Sequence, residues 1–401
     1  MRGGWERKRV SEIALHSLGK MLDKAKNKGE LRPHLRNFNV RWFDFDLSDV
    51  HEMRFTPEEA TRYTVVAGDV VVCEGGYPGR AAIWDQDEPI YFQKALHRVR
   101  FHEPQRNRWF LYYLYAKDLE GTLKSHFSGT GIQHFTGEAL AEFEIPLPPL
   151  SEQQRIVGIL DEAFDDIATA RERAERNLRN ARALFESHLQ SVFTRRGDGW
   201  EETTLENVLA VQPQNGWSPP AANHSDSGTP VLTLSSVTGF RFRPDKIKFT
   251  SAPTDPGRRY WVQNGDLLMT RSNTPQLVGH VAIAAGISEP TIYPDLIMRM
   301  NPAPERVMTE FLYYQMRSPT LRKEITGRAQ GANPTMKKVS NGAVRTLPLR
   351  LASISTQREI VTTLNALGGE ADCLESIHRR KLTALDELKR SLLHQAFTGR
   401  L

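Results

Sequence analysis

Four polar, glycine-bearing loops hold the side chains of this sequence best suited to recognising an extended polyanion with edges to be read. Gly75-Gly76-Tyr77-Pro78-Gly79-Arg80 follows an apolar run, and Thr270-Arg271-Ser272-Asn273-Thr274-Pro275 follows a similar run later in the chain. The other two are Ser128-Gly129-Thr130-Gly131-Ile132-Gln133-His134-Phe135 and Gly327-Arg328-Ala329-Gln330-Gly331-Ala332-Asn333-Pro334-Thr335-Met336-Lys337-Lys338. Lys and Arg hold phosphates, planar Arg, Asn and Gln read base edges, and glycine allows close backbone approach. The expected contact residues are Arg80, Arg271 and Asn273, together with Tyr77, Gln133, His134, Arg328, Gln330, Asn333, Lys337 and Lys338. Lys94, Arg98, Arg241 and Arg243 add positive charge that suits phosphates. For each loop the structural alternative is a tight turn with solvated polar side chains.

The sequence lacks the patterns of a catalyst. It has no Asn/Asp-Pro-Pro-Tyr/Phe motif for amino-methylation, no glycine-rich cofactor loop between strand and helix, and no Gly-x-x-x-x-Gly-Lys phosphate loop. Pro244-Asp245-Lys246 has a nuclease-like spacing, but a turn before a strand explains it equally well. The two cysteines, Cys73 and Cys373, stand alone without zinc or redox spacing, so neither a catalytic residue nor a metal ligand is assigned. Net charge is +5 with a pI near 9.1, which permits an acidic partner. No apolar run reaches the roughly 18 residues of a membrane span and no signal peptide opens the chain, so a cytoplasmic location without a membrane partner is expected.

What positions the loops is a duplication. Gly4-Trp5-Glu6 returns as Gly199-Trp200-Glu201, and Gly68-Asp69-Val70-Val71-Val72 as Gly265-Asp266-Leu267-Leu268-Met269. Phe110-Leu111-Tyr112-Tyr113 returns as Phe311-Leu312-Tyr313-Tyr314, and the exit Ile145-Pro146-Leu147-Pro148-Pro149-Leu150 as a weaker Thr346-Leu347-Pro348-Leu349. Ser187-His188-Leu189-Gln190-Ser191-Val192-Phe193-Thr194 matches Ser391-Leu392-Leu393-His394-Gln395-Ala396-Phe397-Thr398. A period of half the chain means duplicated domains rather than a solenoid.

Each copy ends in a long helix. The first is expected to start at Ser151, an N-cap with Gln154 in capping-box position. Its stripe runs through Ile156, Leu160, Phe164, Ile167, Ala170, Ala174, Leu178, Ala181, Leu184, Leu189 and Val192. The second carries Ile360, Leu364, Leu367, Ala371, Leu374, Leu385, Leu388 and Leu392, interrupted by His378 and Lys381. Gly368-Gly369 predicts a bend or break there. A helix of about 40 residues is about 60 Å long, more than one DNA turn of about 34 Å, and such helices serve as a ruler. The expected fold is α/β (α+β): two similar globular domains, 1–150 and 197–353, joined by two long antiparallel helices, 151–196 and 354–401, forming a coiled coil.

The exit and helix start, Pro146-Leu147-Pro148-Pro149-Leu150-Ser151-Glu152-Gln153-Gln154-Arg155-Ile156-Val157, and the ending Ser391-Leu392-Leu393-His394-Gln395-Ala396-Phe397-Thr398-Gly399 resemble the specificity subunits of Type I restriction-modification systems. The resemblance spans nearly the whole chain. The second exit departs from the pattern at Arg350-Leu351-Ala352-Ser353. The resemblance implies two target-recognition domains, each reading one part of a split double-stranded DNA site. It also implies docking of two modification (methyltransferase) subunits on the helices, through Gln153, Gln154, Arg155, Gln357, Arg358, Phe193 and Phe397, with a restriction (translocase-nuclease) subunit as a further candidate partner. S-adenosylmethionine, ATP and Mg would belong to those partners, with no cofactor on this chain. The rival readings are a coiled-coil scaffold with two protein-binding modules and a stand-alone DNA-modifying enzyme.

Overall fold

The computed structural model describes residues 5–23, 25–194, 199–331, 333 and 335–401. Gly4 of the opening repeat and Ala332 and Pro334 of the fourth loop lie outside the described residues. The chain forms two compact units, Met1–Glu175 with Arg380–Leu401, and Arg176–Arg379. The boundary falls inside both long helices, so each unit contains one globular module and a section of each helix.

In the first unit the strands β1 (Glu6–Arg9), β2 (Ala14–Leu18), β3 (Val70–Cys73), β4 (Ala81–Ile83), β5 (Leu96–Phe101) and β6 (Glu144–Leu147) carry the repeat, with helix α1 (Asn107–Leu119) against them. The central antiparallel sheet runs β2-β5-β3-β4. The opening strand β1 pairs with the proline-bearing exit β6, Arg7 opposite Pro146. Proline is tolerated there because this ribbon has only two strands, each with a free edge. After the exit, α2 (Leu150–Thr194) runs for 45 residues. The second unit repeats the plan with β7 (Glu201–Thr204), β8 (Leu209–Asn215), β9 (Leu267–Thr270), β10 (Val281–Ile283), β11 (Ile297–Pro302) and β12 (Pro348–Leu351). Its sheet order is β8-β11-β9-β10, its ribbon β7-β12, and its helices α3 (Thr309–Arg317) and α4 (Ile354–Phe397). The repeated Phe-Leu-Tyr-Tyr is core: Phe110, Leu111, Phe311 and Leu312 are all fully or almost fully buried.

The Gly-Asp repeat is a turn closed by its carboxylate. Asp69 Oδ2 accepts the Val66 amide at 2.9 Å and Arg100 forks onto both carboxylate oxygens at 2.7 and 2.6 Å. Asp266 accepts the Gln263 amide at 2.8 Å and the Asn301 side-chain amide at 2.9 Å. Gly68 and Gly265 have φ of 91° and 96°, which is why the preceding residue is glycine in both copies. The copies diverge in their second sheets. The first unit has a four-stranded one in which His34–Leu35 runs parallel to Tyr91–Phe92, and the second a three-stranded antiparallel one over His224–Ser225, Thr229–Leu232 and Ile247–Thr250.

The long helices run antiparallel within each unit. Arg171 pairs with Asp386 at 2.6 Å and Arg155 donates to the Leu401 carbonyl at 2.7 Å in the first, and Arg182 forks onto Glu375 in the second. Three details of the helix reading are corrected. Helix α2 starts at Leu150, so Ser151 lies inside the first turn, whereas in the second copy Ser353 Oγ does cap, accepting the Thr356 amide at 3.2 Å. Stripe residues are misassigned: Leu184 is 69% exposed, with Phe185 in the buried place instead, and Leu374 and Leu388 of the second helix are also exposed, at 44% and 46%. Helix α4 passes unbroken through Gly368 and Gly369. A side chain at 368 would lie 3.4 Å from the Phe185 ring, whereas one at 369 would meet nothing within 4 Å. Gly369→Ala is therefore expected to stabilise the second unit by about 1 kcal/mol through helix propensity alone, and Gly368→Ala to gain less. Thermal unfolding midpoints of the two variants check this, and a loss with Gly369→Ala would contradict it.

Candidate nucleic-acid interface

The four loops form two pairs, one in each unit. In the first, Phe135 N donates to Glu74 O at 2.8 Å, so the loop at 128–134 lies beside the loop at 75–80. The loop closes on itself through reciprocal bonds of Ser128 and His134, 2.9 and 2.8 Å. A side chain on Gly75 would come within 3.1 Å of the His134 imidazole, one on Gly76 within 2.1 Å of the Asn37 amide, and one on Gly79 within 2.5 Å of Leu123. These glycines accommodate the protein's own side chains. In the second unit Ser272 and Asn273 pair in strand register with Lys338 and Lys337, and Gln330 exchanges two backbone bonds with Lys338 at 2.8 and 2.7 Å. The correspondence is positional. Gly75 and Ser272 each stand two residues beyond the end of the repeated strand, and His134 and Lys338 each stand two before the Thr136 or Ser340 N-cap of the next short helix.

Tyr77 is half exposed with the Arg80 guanidinium 4.9 Å above its ring. Arg80 spends one donor on the Asn37 carbonyl at 2.9 Å. Gln133 is exposed, and Lys94 is exposed on the turn whose Ala95 carbonyl accepts the Glu74 amide at 2.9 Å, which places it beside the same loops. In the second unit Arg271, Asn273, Gln330, Asn333, Lys337 and Lys338 belong to one loop system. Lys337 Nζ reaches Gly331 O at 2.8 Å, and Asn333 Oδ1 accepts from Thr335.

Three other candidate cations are committed elsewhere, and a fourth lines a cavity. Arg98 donates to Thr64 O at 2.6 Å, half-buried between the two sheets. Arg328 holds Ala343 O and Thr346 Oγ1, each at 3.0 Å. Arg241 pairs with Asp372 on α4 at 2.5 Å, and Arg243 lies with it on a cavity of about 650 Å³ in the second unit, lined also by Phe240, Arg317 and Gly368.

The expected docking residues also divide. Gln153 and Gln357 are fully buried. Gln153 Nε2 donates to Pro148 O at 2.7 Å, and Gln357 Nε2 to Ala352 O at 2.9 Å and Arg306 O at 3.0 Å while its Oε1 accepts the Met308 amide at 2.9 Å. Both tie the first helical turn to the exit, so neither presents a docking surface. Phe193 is 7% exposed against Trp200 and Phe311, and Phe397 packs on Trp109 and Tyr113. They anchor the helix ends. Gln154, Arg155 and Arg358 remain exposed.

The sequence reading missed Phe43 and Phe240, non-glycine residues in the left-handed region at φ 67° and 60°. Such backbone costs about 1–2 kcal/mol and persists only where packing imposes it. Phe43 contacts Tyr112, Tyr115 and Phe164; Phe240 stacks on His280, ring centroids 4.1 Å apart. The shared spacing Phe43-x-Phe45 and Phe240-x-Phe242 was the available signal.

Two buried histidines support these parts. His97 Nε2 lies 2.9 Å from Phe135 O at the base of the loop, and His280 Nδ1 accepts the Gly239 amide at 3.0 Å. Burial pushes both down to about 4 from an ordinary value of 6.5. A depressed folded value means the unfolded chain takes up the proton first, so stability is intact above about 6.5 and falls as pH drops toward 4. Replacing His97 with Gln is expected to flatten that acid loss. An unchanged pH profile of the unfolding midpoint would contradict it.

Among the described residues no helix is long and apolar enough to cross a membrane, and no cluster of His, Cys, Asp and Glu could hold a metal. Residues 3–177 match the model of the Type I restriction modification DNA specificity domain. The EcoKI specificity subunit of Escherichia coli (strain K12) is 25% identical over 292 residues, 70% of this chain and 62% of that protein, so the match spans less than two thirds of its length. The EcoBI specificity subunit of Escherichia coli is 23% identical over 369 residues, 84% and 75% of the two chains. Among solved structures, a chain of the type I R-M system, from a study of its complex assembly and conformational transition, aligns with TM-score 0.77 at 19% identity over 100% of this chain and 99% of that one. The HsdS subunit from Thermoanaerobacter tengcongensis aligns at 0.58 and 19% identity, over 100% and 98%. The fold is a duplicated module with one loop pair in each copy, and the first copy is the one that matches the specificity-domain model. The first module and the start of α2 thus match the Type I restriction modification DNA specificity domain, and most of the chain is similar to Type I restriction enzyme specificity subunits.

Proposed function

We propose that this chain reads a two-part double-stranded DNA target, one part through each loop pair, and presents it to two methyltransferase subunits and, where one exists, to a translocase-nuclease subunit. The observation that carries the reading is the positional equivalence of the loop pairs, Gly75 with His134 and Ser272 with Lys338, each rich in groups that bind phosphates or base edges. S-adenosylmethionine, ATP and Mg act on the partner subunits in this reading. Exposed Gln154, Arg155 and Arg358 at the two helix starts are the docking residues that survive. The long helices fix the unread spacer, so a heptad added to both, in α2 after Ala174, lengthens the spacer and leaves both half-sites unchanged.

Methylome mapping of a host expressing this chain with its modification partner tests the proposal. A split motif is expected, and exchanging residues 1–150 for those of another family member should change one half only. Turnover of labelled S-adenosylmethionine by the purified chain alone would overturn it.

A further inference from the structure

In each loop pair one position departs from the polar character of its surroundings. Ile132 is 75% exposed and Met336 46% exposed. Each stands four residues before its N-cap, Thr136 or Ser340, and three before the buried Phe135 or Val339, so the two positions are equivalent. Gln133 and His134 follow Ile132; Lys337 and Lys338 follow Met336. A single exposed apolar side chain is ordinary on a protein surface. An exposed large apolar side chain at the same place in two copies that share little else in this loop calls for a common apolar partner. Neither side chain can hold a phosphate. On the edges of unmodified DNA bases the aliphatic group available is the 5-methyl of thymine, which lies in the major groove.

We propose that Ile132 and Met336 are specificity-determining residues, each packing on a thymine methyl in the half-site its own module reads. The inference rests on the DNA-reading proposal and names one base in each half of the target. Closing Ser128 on His134 fixes the first loop's base, and the strand pairing of Asn273 with Lys337 fixes the second, so each apolar tip projects from a held position.

The test is a double-substitution cycle on the full chain with its modification partner, bound to its mapped target by fluorescence anisotropy. Each thymine is replaced in turn by deoxyuridine, which removes only the methyl. In one half-site a single replacement is expected to weaken binding about fourfold, the worth of one methyl group taken from water. Ile132→Ala should lose a similar factor on the unmodified target and become indifferent to that replacement. Met336→Ala should do the same for the other half-site. Both side chains are exposed, so the variants are expected to fold. Additive losses, a half-site without thymine, or no uridine sensitivity would overturn the inference. A 2-aminopurine signal that depends on Ile132 without uridine sensitivity would overturn it in favour of insertion between base pairs. If the wild-type complex does not distinguish its target from scrambled DNA, the DNA-reading proposal itself fails, an outcome separate from these.

Discussion

Phe193→Ala is expected to cost the second unit about 3 kcal/mol, the usual range for truncating a buried phenylalanine. The ring is 7% exposed, with centroids 5.4 Å from Phe311 and 6.3 Å from Trp200. Removing it leaves a cavity where α2 ends on the module. The urea midpoint should fall, and amide exchange should quicken first in the last turns of α2. Phe193→Leu, which keeps much of the volume, should recover most of the loss. Were Phe193 a docking residue instead, both substitutions would leave the midpoint in place and weaken assembly with the partner.

Gln357→Leu should destabilise the same unit by about 2–3 kcal/mol, because the Met308 amide and the Ala352 and Arg306 carbonyls lose a buried partner together. Gln153→Leu should cost less, about 1 kcal/mol, since the Gln153 side chain donates to Pro148 O and its Oε1 has no partner among the described residues. Urea unfolding of the two variants separates the cases; equal losses would show that the extra bonds of Gln357 carry no weight.

The duplication was legible because its strongest signals are geometric necessities. A left-handed turn needs Gly68 and Gly265, its closure needs Asp69 and Asp266, and a free-edged exit ribbon admits proline. Gln153 and Gln357 were misread as surface because a glutamine in a first helical turn looks solvated unless the facing carbonyls are known. Leu184 and Phe185 are neighbours in sequence, and only the position of the partner helix decides which one is buried. The glycine pair promised a break because propensity is local, while the helix is held by packing against Phe185. The loops were located by composition. That Arg98 and Arg328 would be occupied by carbonyls far away in sequence could not be read from their own neighbourhoods.

The helix rings also differ between copies in a complementary way. Eleven residues beyond Gln153 stands Phe164, and eleven beyond Gln357 stands Gly368; thirty-two beyond stand Phe185 and Lys389. In the first unit Lys389 lies 4.4 Å over Phe164, and in the second Phe185 occupies the space beside Gly368 with Arg317 4.5 Å over its ring. Each site thus takes one ring, supplied by opposite positions of the repeat. A duplicated chain has a kinetic hazard: while it folds, its two halves compete for each other's places. Two copies of α2 set side by side would bring Phe164 and Phe185 together in one slot, and two copies of α4 would leave Gly368 facing Lys389 with no ring at all. The exchange therefore acts as a folding checksum, favouring the one pairing of unlike helices and penalising both like ones.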